Sequence, residues 1–349
     1  MRTMNEMRAG VLSGVGRLEI IEVTRPQISS PQEVLLRVKT IGICGSDLHY
    51  FRTGRIGDQV VDFPFIIGHE AVAVVEEVGS NEGDLRPGDW VVIDPALSCG
   101  RCDQCRAGRS HTCRQLRFLG CPGQRAGCLQ DYLVLPRNNC FKINEEESTL
   151  GILVEPIAIA IYAHHLAEGV RNKKVIVLGG GPLGLVVAYI SRQKGCQWLG
   201  VTDKVDARLE GAKKVGADWI GNPLDQNIIK EVESINPEQV DIIFECCGQQ
   251  EALDQAEILL KPGGKLVIIG IPEADRIWFN PHLLRRKEIE IINVRRQNNC
   301  IPGAIQFLQS HASSLRFLIT HRYSLNEIQE AFEVASNYKD GVIKAVIDL

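Results

Sequence analysis

From Lys173 to Pro272 the chain alternates short, wholly apolar runs with segments of helical spacing, and few folds accept that alternation. KVIVLG (174–179), WLGVTD (198–203), VDIIFECCG (240–248) and GKLVIIGIP (264–272) read as strands. PLGLVVAYISRQKG (182–195), KVDARLEGAKKVG (204–216) and QEALDQAEILL (250–260) read as helices. Runs that are apolar throughout belong to strands covered on both faces of a parallel sheet. Strand–helix alternation is the pattern of a doubly wound α/β domain. Between the first strand and the first helix, Gly179-Gly180-Gly181-Pro182-Leu183-Gly184 fits G-x-G-x-x-G in the setting that gives the pattern meaning. Gly179 suits the tight turn, Gly181 clears the approach of a pyrophosphate, and Gly184 lets helix and strand close on each other. The helix N-terminus offers unpaired N–H groups and a positive dipole end to phosphates. The second strand ends at Asp203, where a carboxylate accepts ribose hydroxyls and repels a 2′-phosphate. NAD is therefore expected over NADP, with Lys204 and Arg208 nearby as opposing charges. The ordinary alternative for Asp203 is an N-cap of the next helix.

At 349 residues the chain exceeds one core, so two domains are expected. Before Glu155 the pattern differs. Residues 8–40 alternate apolar and polar side chains with Gly and Pro punctuation, and AVAVVEEVG (71–79) and WVVID (90–94) continue as strands and turns. A β-rich first domain follows. Beyond IEIINVRRQ (289–297), helices are expected near 303–312 and over 324–337. A final strand, VIKAVIDL (342–349), needs a sheet edge and is expected to return to the first domain. No apolar run is long enough to cross a bilayer, so no membrane partner is expected. A net charge of −4 without a basic stripe argues against nucleic acid. No apolar signal core opens the sequence, so a cytoplasmic location is expected. There, twelve cysteines point to metal before disulfides.

Four of them, Cys99, Cys102, Cys105 and Cys113, form C-x2-C-x2-C-x7-C with glycines between. Four thiolates leave no open position, which describes a structural zinc site. An iron–sulfur run has a shorter last spacing and a Pro after its final Cys, where Arg114 stands here. A second set lies in residues 41–70: Cys44, Ser46, His49, His69 and Glu70. Thiolate, imidazole and carboxylate are the ligands of open, catalytic zinc. Glu155 in LVEPIAIA is a further candidate, because a carboxylate among apolar residues is costly unless paired or metal-bound. Pro156 is expected to keep Glu155 out of a helix. The ordinary reading of Glu155 is a solvent-facing acid at a helix start. Zinc polarises an alcohol oxygen, and hydride then leaves the same carbon for the nicotinamide. Ser46 and His49, a hydroxyl and an imidazole in series, suit the relay of the displaced proton.

These residues carry a resemblance. GICGSDLHY (42–50), GHE (68–70), the cysteine knuckle, VEP (154–156), the glycine-rich turn, FECCG (244–248), VIIGIP (267–272) and LITHRYSLNEIQEAF (318–332) follow in order along the whole chain. The chain resembles zinc-dependent medium-chain dehydrogenases, most of all the sorbitol (polyol) dehydrogenase branch. The resemblance implies a GroES-like catalytic domain over 1–156 with a zinc lobe at about 95–115. It implies a Rossmann NAD-binding domain over 157–294, a return to the catalytic domain over 295–349, and a homodimer or homotetramer. Implied metal ligands are Cys44, His69 and Glu70 or Glu155, with one catalytic and one structural zinc per subunit. Implied cofactor contacts are Gly179, Gly181, Pro182, Leu183, Gly184, Asp203, Arg208, Ile271 and Val294. Tyr50, Phe118, Arg295 and Arg296 are implied around the substrate. Two departures stand out: Ala73 replaces a usual Gly, and Arg295-Arg296 replaces a common Arg-Tyr. The expected reaction is oxidation of a secondary alcohol of a polyol or sugar derivative with NAD. The paired guanidiniums also suit a sugar acid or sugar phosphate, and an amino alcohol such as threonine is a further substrate class. A reading of another class is a non-catalytic protein that binds NAD and zinc.

Overall fold

The computed structural model describes residues 5–80 and 83–349. The chain divides into two units: Met1–Glu155 with Ile301–Leu349, and Pro156–Cys300. Residues 295–300, expected with the returning tail, group with the second unit. The Glu290–Asn293 strand just before them lies on the Leu260–Ile268 strand, and Val294 N–H donates to the Ile268 carbonyl at 2.9 Å.

In the first unit the Glu33–Gly42 strand is the hub. Antiparallel neighbours are Glu70–Val78, Tyr132–Pro136 and the C-terminal Lys344–Asp348 strand. The order across the sheet is Cys140–Lys142, Trp90–Ile93, Glu70–Val78, Glu33–Gly42, Lys344–Asp348, Ile319–Ser324. The C-terminal strand therefore enters the first unit's sheet between two others. Leu36, Ile41, Ile67, Leu135 and Phe332 are fully buried in its core. Helices occupy Ile301–Leu315 and Ile328–Ser336.

The second unit holds a six-stranded, all-parallel sheet. Its order is Trp219–Gly221, Trp198–Thr202, Lys174–Leu178, Val240–Glu245, Leu260–Ile268, Glu290–Asn293, which is 3-2-1-4-5-6 in order of appearance. That is the doubly wound dinucleotide-binding arrangement. Val175, Ile176, Val177, Ile243 and Leu266 are wholly buried, as runs apolar on both faces require.

The expectation for Pro156 is not met. A helix runs over Val154–Leu166 and includes Glu155. Pro156 falls in its first turn, where an N–H has no intrahelical partner to lose. Among the described residues no helix is long and apolar enough to cross a membrane.

Candidate functional site

The Glu33–Gly42 strand ends two residues before Cys44, and Cys44 caps the Gly45–Thr53 helix. Asp47, in the first turn, holds this entry: its Oδ2 accepts the Cys44 N–H at 3.0 Å. Its Oδ1 accepts the Gly68 N–H at 3.2 Å and lies 3.5 Å from His69 Nδ1. One carboxylate, 1% exposed, thus ties together the two loops that carry Cys44 and His69. Sequence reasoning passed over it; its place three residues after Cys44, as in a capping box, was the available signal.

Cys44, His69 and Glu70 offer ligand atoms that all lie within 4.8 Å of one another. His69 and Glu70 are buried. Glu155 is buried too, but it is outside this set among the described residues. A half-buried thiol beside a buried imidazole and carboxylate fits zinc by donor type. The local charge fits as well. Burial works against a charged His69, yet the Asp47 carboxylate and the Cys44 sulfur outweigh it and raise the ring's pKa well above its ordinary value.

Lys344 is the second residue the sequence reading missed. Its side chain is 2% exposed and pairs with Glu70, equally buried. Register explains the meeting. Gly42 is the cross-strand partner of both Glu70 and Val346, and Lys344 lies on Val346's face two residues back. Gly42 leaves the gap through which the ammonium reaches the carboxylate, since a Cβ there would strike both groups. Burial alone would lower the Lys344 pKa, but Glu70, then Cys44 and Glu155, keep it above its ordinary value.

Around this group, Phe118 stacks at a tilt on His69, with ring centroids 5.3 Å apart. The Tyr50 hydroxyl bonds Gln59 Oε1 at 3.1 Å. Ser46 and His49 are half-buried, three residues apart on one helix, and so share a face.

The four knuckle thiols also lie within 4.8 Å of one another. Cys102 Sγ is 3.6 Å from Cys105 Sγ and 3.9 Å from Cys113 Sγ. The Cys99 and Gln115 N–H groups point at Cys113 Sγ from 3.2 and 3.3 Å. Backbone N–H groups of Cys105 and Arg114 bring Cys102 down to about 6, while burial pushes Cys105 up to about 11. Neighbouring thiols cannot all ionise unaided, and a divalent cation supplies the missing charge.

In the second unit Gly179 has φ +97°, and Gly181 caps the Pro182–Gln193 helix with Pro182 in its first turn. A Cβ on Gly184 would strike the Gly179 carbonyl. Asp203 is buried, and its Oδ2 accepts the Gly180 N–H at 2.8 Å while Oδ1 accepts the Val205 N–H at 2.8 Å. Arg208 Nη1 stands 3.7 Å from Asp203 Oδ2. Leu183 lies in the first turn of the helix, half-buried. Ile271 is 39% exposed, Val294 is half-buried and Arg295 is exposed. Arg296 is half-buried with φ +54°.

Two family profiles match: "Alcohol dehydrogenase GroES-like domain" over residues 30–145 and "Zinc-binding dehydrogenase" over 182–310. The chain is 35% identical to a sorbitol dehydrogenase of Bacillus subtilis, over 98% of this chain and 97% of that protein. It is 34% identical to an L-idonate 5-dehydrogenase of Vitis vinifera, over 95% and 92%. A solved structure of ECK1772, an Escherichia coli oxidoreductase of unknown specificity, superposes with TM-score 0.91 at 31% identity, over 98% of this chain and 99% of that one. With the four-thiol knuckle, the Cys44–His69–Glu70 group and the doubly wound sheet all in place, the chain belongs to the zinc-dependent medium-chain dehydrogenase superfamily, in its sorbitol dehydrogenase-like branch.

Proposed function

We propose that Cys44, His69 and Glu70 hold the catalytic zinc of an NAD-dependent dehydrogenase that oxidises a secondary alcohol of a polyol or sugar derivative to a ketone. The enzyme class follows from the relatives; the gathering of the three donor atoms within 4.8 Å of one another is the observation that carries the assignment to residues. When bound, zinc supplies Lewis acidity to the alcohol oxygen and NAD accepts the hydride. The chain's own residues do the rest. Asp47 fixes the orientation of His69 and the entry of Cys44, the outer support that ligating histidines commonly have. Lys344 balances Glu70, and Glu155, whose charge also acts on Lys344, is the alternative carboxylate ligand. Ser46 and His49 carry the displaced proton along one helix face. Phe118 and Tyr50 shape the apolar side of the substrate site, and Arg295 and Arg296 are its candidate polar contacts.

Substrate class is tested by following nicotinamide reduction with sorbitol, xylitol, L-idonate, a polyol phosphate and threonine. A neutral polyol is expected to give the highest kcat/KM. A best rate with L-idonate would favour the sugar-acid reading, which the Vitis relative's name and the paired guanidiniums support. Turnover of threonine alone would overturn both.

Asp203 is assigned to the ribose hydroxyls. Its two backbone bonds leave lone pairs on both oxygens. Arg208 is held at its edge. Asp203→Ser should lower kcat/KM for NAD by on the order of 10- to 100-fold, at about 1.5–3 kcal/mol for bonds to a charged group. It should also free Arg208 for a 2′-phosphate, so that NADP use rises. Steady-state kinetics with both cofactors checks this, and an unchanged NAD:NADP ratio would refute it.

The knuckle is assigned a structural zinc. Cys102→Ala should remove that ion and lower the melting temperature or disturb assembly, while the zinc at Cys44 stays. Metal analysis beside thermal unfolding distinguishes this from loss at the other centre. For assembly, a homodimer or homotetramer is supported by the Glu290–Asn293 edge strand, which among the described residues pairs on one side only and carries half-buried Ile291 and Ile292. Twelve free thiols suit a reducing, cytoplasmic setting.

A further inference from the structure

We propose that Glu245 is a positioning residue for cofactor binding: it holds in register the loops that close the parallel sheet at its switch point. The inference rests on the NAD assignment and adds a residue that assignment does not use. Strand order in the second unit reverses between Lys174–Leu178 and Val240–Glu245. In open α/β sheets the ligand crevice lies outside the carboxyl ends of the strands at that reversal. Glu245 is the last residue of one of those two strands.

Its bonds reach two loops at once. The main-chain carbonyl accepts the Ile269 N–H at 2.8 Å and the Gly270 N–H at 3.0 Å. The side-chain Oε1 accepts the Cys247 N–H at 2.7 Å and the Gly248 N–H at 2.6 Å. The next residue extends the tie, because Cys246 N–H donates to the Leu178 carbonyl at 2.8 Å, directly before the glycine-rich turn. Packing is close throughout. A Cβ at Gly179 would lie 2.8 Å from the Cys247 Cβ, and one at Gly270 would strike the Gly248 N and lie 2.6 Å from Glu245 Oε2. The turn at 179–184 is thus braced by 246–248, and 246–248 by 269–271.

Glu245 does this at a cost. It is 1% exposed, and Oε2 is buried with no hydrogen-bond partner among the described residues. A buried carboxylate oxygen without a partner is unfavourable, and burial raises the group's pKa. An acid that served only to cap a turn could sit in water. Placed in the interior, it fixes two N–H groups of a loop whose Cys247 is exposed.

The test uses the full-length, zinc-loaded protein, with NAD binding read by titration calorimetry and kcat read at saturating NAD. Glu245→Gln keeps an amide oxygen for the Cys247 and Gly248 N–H groups, and its Kd for NAD should stay within about threefold of the parent. Glu245→Leu fills similar space without an acceptor, and should raise Kd about tenfold or more with kcat at saturation little changed. Leucine binding NAD as the parent does would overturn the proposal, and so would glutamine weakening it as much as leucine. Should the leucine variant not fold, Glu245→Met, of similar length and without a carboxylate acceptor, should raise Kd about tenfold; unchanged binding there overturns the proposal equally. A parent protein that fails to bind NAD refutes instead the cofactor reading beneath it.

Discussion

Cys44→Ala should reduce alcohol oxidation by on the order of 1000-fold or more while leaving the fold and NAD binding close to the parent's. Lewis-acid stabilisation of the oxygen is worth several kcal/mol, and each ~1.4 kcal/mol is a factor of ten in rate. The fold should survive because the link that starts the helix is made by the Cys44 main chain: its N–H donates to Asp47 Oδ2 and is unaffected by loss of the sulfur. Metal content should drop by the catalytic ion alone, since the knuckle draws no ligand from this group. Near-normal turnover by this variant would show that the metal site is elsewhere.

Lys344→Met should have the largest effect on stability. It removes the cation from a pair in which both partners are 2% exposed and strands the Glu70 carboxylate. Breaking such a pair from one side costs about 3–5 kcal/mol. A zinc ion held by Glu70 would replace part of the lost charge. The deficit should therefore be larger in zinc-depleted protein than in loaded protein. Denaturant unfolding of both forms measures it. The double variant Lys344→Met with Glu70→Gln should recover much of the loss in the depleted form, as a coupled pair requires. A single variant as stable as the parent in both forms would remove Lys344 from the description of the site.

These two residues also show what the sequence could and could not reveal. The parallel sheet was legible because strands buried on both faces are written as unbroken apolar runs, and KVIVL and VDIIF are such runs. The glycine-rich turn was legible because its chemistry is local, within six residues. The four-thiol knuckle was legible for the same reason. The Glu70–Lys344 pair spans most of the chain and depends on the register at Gly42, which no local pattern records. A Lys inside the apolar strand VIKAVIDL was the faint sign, since a lysine there must snorkel or find an acid. Asp47 escaped notice because a polar residue at a helix start has an ordinary capping role, and here it has that role and a second one. Pro156 is compatible with helix at Glu155 because it sits in the helix's first turn, where a proline costs no intrahelical bond.

The zinc proposed at Cys44, His69 and Glu70 is tested most directly by NAD reduction with a polyol before chelation, after chelation, and after zinc is restored, with metal content measured at each stage. Activity should fall with loss of the Cys44-dependent ion while the knuckle zinc remains, and return when that ion is replaced. Full activity in protein that has lost this ion and keeps only the knuckle zinc would contradict it.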